Sequence, residues 1–231
     1  MKVIALFVVA LLSGCATQGT NTFNYSKGDR TPVTNEVTVN APYSRVWDML
    51  VRDLAKSFYV INNIDKESRI INVSFTSTEA AEFVDCGRTS RTYTEGPNVE
   101  RFDYEVASRS TYKVAATRQE HLSMTNYAVM SRDPTLEGRS NIYVAPSATD
   151  SSKTTVSVNT RYVMTMKTKG DAYAKHISGA IHSRGRVPED SSVITFNTNT
   201  VATREEPNSP AMVCFAKGKL ESDVLSIVKG L

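Results

Sequence analysis

The chain has 231 residues, 40% of them hydrophobic and 22% charged, a balance ordinary for a soluble fold that marks it as neither disordered nor membrane-embedded. Its formal charge of +3, or +2 when Lys2 is removed with the leader described below, is too small a surplus to point to nucleic acid.

Met1 and Lys2 form a short positive start, residues 3–12 are an unbroken apolar run, and Ser13 and Gly14 lead straight into Cys15. This is the pattern of a secretory leader. As a helix, the ten apolar residues reach about 15 Å, half of a hydrocarbon core of about 30 Å, so the run is too short to span a bilayer. Leu12-Ser13-Gly14-Cys15 resembles the lipobox of bacterial lipoproteins. The resemblance implies cleavage between Gly14 and Cys15, a diacylglyceryl thioether on Cys15, and an acyl chain such as palmitate on the new amino terminus. Several chains hold a protein stably on a bilayer where one does not. Ala16 stands where lipoproteins retained on the inner membrane carry aspartate, so the expected address is the periplasmic face of the outer membrane. An ordinary leader with a chance cysteine is the alternative.

Residues 15–35 are polar, rich in Thr, Asn, Gly and Ser, with no apolar periodicity, and read as a lipidated end followed by a flexible tether without secondary structure. Residues 36–231 suit one domain. Within it, 36–40 alternate as a half-buried strand. Ala41 and Pro42 then open a helix whose apolar stripe is Val46, Trp47, Leu50, Val51, Leu54, Ala55 and Phe58. Residues 59–64 and 69–75 read as two strands about a charged turn. Further strands are expected at 81–86, 102–115, 141–145, 154–166 and 192–200, with turns at 95–98 and 147–152 and loops at 131–138 and 170–186, the second with room for a short helix. Leu220, Val224, Leu225, Ile227 and Val228 mark a closing helix that Gly230 stops. The resulting fold class is α+β, a curved antiparallel sheet with an early helix and a terminal helix on one face.

The order strand, Ala41-Pro42, Trp47-bearing helix, hairpin over residues 36–75 resembles the opening of helix-grip domains, both the small-ligand binders and the domain in the lipoprotein C-subunit of the β-barrel assembly machinery. The resemblance implies a ligand held between helix and sheet. Trp47, Tyr59, Tyr104, Tyr112 and Tyr162 are the aromatic candidates to line such a pocket, with plain core as the competing reading of each.

Cys86 and Cys214 remain once Cys15 is set aside, an even pair for an oxidising compartment. A disulfide between them would close a loop of about 130 residues, worth about 4 to 5 kcal/mol on the chain-entropy account, and would staple the closing helix to the middle of the sheet.

Catalytic motifs are sparse. His121, His176 and His182 are the histidines, and no common zinc spacing relates them. There is no Gly-x-Ser-x-Gly elbow, no His-Glu-x-x-His and no phosphate-cradling loop. Asp85, Asp103 and Glu105 lie in strand contexts, and the Thr89-Ser90-Arg91-Thr92 run reads as a solvated strand face. The expectation is therefore no enzyme, no metal and no cofactor beyond the covalent lipid. The leading functional reading is a lipid-anchored, non-catalytic protein-interaction module in envelope assembly or maintenance, whose partners are the membrane and an envelope protein. The alternative is a binder of an apolar small molecule or lipid, and an envelope hydrolase is third. Lys175, Arg184 and Arg186 in the 170–186 loop suit a basic contact patch or a plain solvated loop.

Overall fold

A computed structural model describes residues 18–116, 124–206 and 209–231. The lipobox with Cys15, and His121, lie outside them.

The described chain is mostly β, with 61% in strands and 12% in helices. In order it runs β1 (Thr20–Ser26), β2 (Glu36–Val39), α1 (Tyr43–Leu54), β3 (Val60–Asp65), β4 (Ile70–Ser77), a single 3-10 turn (Ala80–Glu82), β5 (Val84–Asp85), β6 (Arg88–Glu95), β7 (Asn98–Glu105), β8 (Ser110–Ala115), β9 (Met124–Pro146), β10 (Thr154–His176), β11 (Ile181–Asn197), β12 (Val201–Glu206), β13 (Ser209–Ala216) and α2 (Lys219–Val228). These strands form three sheets. The α+β helix-grip expectation is thereby overturned: two short helices accompany three sheets, and the helix-grip likeness of residues 36–75 does not extend to the rest of the chain.

The spine is the hairpin of β9 and β10, each 23 residues long and paired from Pro146↔Thr154 to Met124↔His176. Each of its outer edges is shared by two strands. On β9, β4 pairs residues 136–143 and β8 pairs 127–132; on β10, β2 pairs 154–157 and β11 pairs 161–175. The expected loop at 131–138 is therefore strand. Its Asp133 and Pro134 fall where β9 passes from β8 to β4 and has neither beside it, so a proline there breaks no ladder on that side. The expected loop at 170–186 is also strand, the far end of β10 and β11 about a turn closed by Gly179 at φ 91°. Polar residues on both faces and register shifts near Lys169 and Arg184 hid its alternation. The expected tether likewise contributes β1, which pairs with β6 along its whole length from Thr20↔Thr94 to Ser26↔Arg88.

One face of the large sheet is covered in two parts. The even residues of β10 that begin it, Val156, Val158 and Tyr162, pack with Ile142 and Val144 of β9 against α1 and α2 in the main apolar core. α1 buries Val46, Trp47, Leu50 and Leu54 there, as its periodicity predicts, while Phe58 just beyond it stays 64% exposed. Farther along, the small sheet β1-β6-β7 packs on β8 and faces β10 across a gap, and the third sheet, β12-β13-β5, closes the side against β11 and β1. Cys86 and Cys214 are disulfide-bonded, both buried, and the bond ties the start of β6 to β13 just before α2. It anchors the approach to the closing helix through the third sheet and not through the middle of the large one.

Candidate functional site

Where the small sheet stands off the large one, a cleft of about 430 Å³ opens. Cross-strand register explains its floor. Paired residues share a face, so Asp190↔Thr168↔Arg132 forms a row across β11, β10 and β9, and Ser192↔Met166 and Ile194↔Met164 form parallel rows across β11 and β10, all lining the cleft. The roof repeats the device: Phe23↔Arg91 and Tyr25↔Thr89↔Tyr104 are rows across β1, β6 and β7. Tyr112 of β8 and the paired Arg204 and Met212 of β12 and β13 close the sides.

Arg91 organises the cleft. Its guanidinium lies 4.5 Å from the centroid of Phe23 and 4.5 Å from that of Tyr112, held between two rings. Its Nε donates to Tyr104 Oη at 2.8 Å. Arg132 stands 5.2 Å from the Tyr104 centroid, and Tyr104 and Tyr112 stack at 5.8 Å. Burial pushes the Tyr112 phenol above its ordinary range while the charges of Arg91 and Arg132 pull it down, so both cations act on one ring.

A companion aromatic cluster lies alongside. Lys113 Nζ stands 4.3 Å from the centroids of both Tyr93 and Tyr127 and donates to Glu100 at 2.9 Å. Glu95 accepts from Lys175 at 2.9 Å and from Tyr93 Oη at 3.1 Å. Burial pushes its carboxyl up, but those two hydrogen bonds and the charges of Lys175 and Lys113 outweigh burial and hold it below the usual carboxylate range.

Of the five aromatic residues expected to line a pocket, the structure brings Tyr104 and Tyr112 together in the cleft. Trp47 is core, 5.7 Å from the Tyr43 ring; Tyr59 donates to Asp223 at 2.7 Å and lines a separate groove between α1 and α2; Tyr162 is fully buried and donates to Glu221. Beneath the middle of α1 the space against the sheet is packed by Val46, Leu50, Leu54, Ile71 and Phe75. His176 and His182 lie on the β10–β11 hairpin, and among the described residues no group of three His, Cys, Asp or Glu side chains could hold a metal. Arg91, which the sequence reads as part of a solvated strand face, lies instead in the cleft between two rings. The available signal was the alternation Thr89, Arg91, Tyr93, in which the neighbouring inward residues are 4% and 1% exposed. No family model matches the chain, and no curated protein or solved structure matches it.

Proposed function

We propose that this chain is an outer-membrane lipoprotein of the periplasmic face, anchored through acyl chains on Cys15, and that it binds an apolar or amphipathic small molecule or lipid without catalysis. The observation that carries the binding reading is the cleft of about 430 Å³, lined by stacked Tyr104 and Tyr112, by Met164 and Met166, and by cations, within the ~300–1,000 Å³ of small-molecule pockets.

The anchor and the cleft are close in the chain. β1 begins at Thr20, five residues after Cys15, a span of at most about 17 Å at ~3.4 Å per residue. The small sheet that roofs the cleft is thus held near the headgroups.

The anchor is tested by Cys15→Ser: the wild type partitions into detergent and carries a mass increment for three acyl chains, whereas the variant is released without detergent. The cleft is tested by native mass spectrometry of the variant after exposure to envelope lipid extract. A clean apo mass in every spectrum overturns the binding reading.

A second reading, a protein-interaction module in envelope assembly or maintenance, draws on a groove of about 550 Å³ between α1 and α2, where Phe58 is 64% exposed beside Leu54, Phe83 and Ile227. Loss of an envelope partner from crosslinked membranes on Phe58→Ser, with the fold intact, favours it.

A further inference from the structure

We propose that the cleft takes an amphipathic anion, a carboxylate or phosphate head on an apolar body, with the head on Arg91 and Arg132; this rests on the reading of the cleft as a ligand site.

The head group follows from the state of the two arginines. Arg91 has both faces against rings and its Nε on Tyr104, yet its two terminal nitrogens make no hydrogen bond among the described residues. Neither Arg91 nor Arg132 has a carboxylate within 4.0 Å among those residues. Asp190 is in the row of Arg132 but two strands away, about 10 Å between backbones at ~4.8 Å per strand, and among the described residues it makes no ion pair with either arginine. Half-buried cations without a counter-ion are costly, and an oxyanion that reaches both offsets that cost. The fork of Arg91 is already immobilised, so binding orders little that was free, and its planar edge suits the two oxygens of a carboxylate or phosphate.

The body follows from the rest of the floor. Met164, Met166 and Ile194 continue away from the arginines on the same sheet face, with Met212 at the side. Thioether side chains adapt to ligands of varied shape. The ligand therefore lies with its charge toward the tyrosines and its apolar part over the methionines.

The test uses the full chain carrying Cys15→Ser, titrated calorimetrically with octanoate, octyl phosphate, octanol, octyltrimethylammonium and inorganic phosphate. Octanoate and octyl phosphate bind; R91Q and R132Q each weaken both at least tenfold, and R91K, which keeps the charge but loses the planar fork, falls between R91Q and wild type. Circular dichroism identifies any variant that fails to fold, and then the other arginine and the weakening of wild-type binding by salt decide. Octanol or octyltrimethylammonium binding as tightly as the anions overturns the proposal and leaves the cleft reading standing. Failure of every probe overturns both. Inorganic phosphate binding as tightly as octyl phosphate overturns the apolar half. Arg91-dependent cosedimentation with phosphatidylglycerol vesicles, absent with phosphatidylcholine, supports the proposal with a membrane lipid as the source; octyl phosphate binding without cosedimentation supports it with a free amphiphile.

Discussion

Tyr162 on β10 and Glu221 on α2 lock the closing helix to the sheet: the phenol donates toward both carboxylate oxygens, at 3.0 and 2.8 Å, and neither residue is exposed. Thr198 Oγ1 donates to the same carboxylate at 2.8 Å. Burial and the charge of Glu221 both push the Tyr162 phenol up, so it remains a donor throughout the working pH range. Glu221 also lies in the first turn of α2, where a negative charge meets the positive end of the helix. Tyr162→Phe leaves the carboxylate one donor short. The expected loss is about 1.5–3 kcal/mol, the value of a hydrogen bond to a charged group, read from urea denaturation; a midpoint equal to wild type refutes the lock.

Glu95 sets a stability limb at acid pH. Its folded pKa lies below the ordinary value of 4.5, so its stabilisation is present above that value and fades as pH falls through the lower folded one. Glu95→Gln removes this component. The variant is less stable than wild type near neutrality, and the gap narrows as pH falls below 4.5 through the lower folded value. A gap that stays constant with pH shows that the carboxylate contributes only by shape.

The disulfide spans 128 positions, and a loop of that length confines the unfolded chain strongly. Replacing both Cys86 and Cys214 by alanine is expected to cost about 2–5 kcal/mol. Because, among the described residues, β13 joins β5 through just Phe215↔Asp85 and Ala216↔Val84, hydrogen exchange should accelerate first in the third sheet. Uniform acceleration across all three sheets counts against this local effect.

Gly138 on β9 lies under the ring of its β4 partner: it is paired with Phe75, and a Cβ on it would run into that ring. Gly138→Ala is expected to cost about 1–3 kcal/mol by overpacking. Combining it with Phe75→Leu should cost less than the sum of the two single changes, since both act on one contact; strict additivity of the melting data overturns that coupling.

Part of this architecture was legible residue by residue. The three- and four-residue spacing of Val46, Trp47, Leu50 and Leu54, and of Leu220, Val224, Leu225 and Val228, marks two helices because an apolar stripe has meaning within one element. The even cysteine pair pointed to the bond between Cys86 and Cys214 for a similar reason: few alternatives existed. The 23-residue strands were not legible, because Pro134, Gly138 and Gly170 are read locally as breaks, whereas partner changes and close approaches along the hairpin make room for them. The cleft was less legible still. Phe23, Arg91 and Tyr112 are distant in the chain, and only the pairing of β1 with β6 and the stacking of that sheet over β8 bring two rings onto one guanidinium. Periodicity along one strand reports which side faces inward; it carries no information about which other strand will be opposite, and that choice, made by register and sheet packing, created the site.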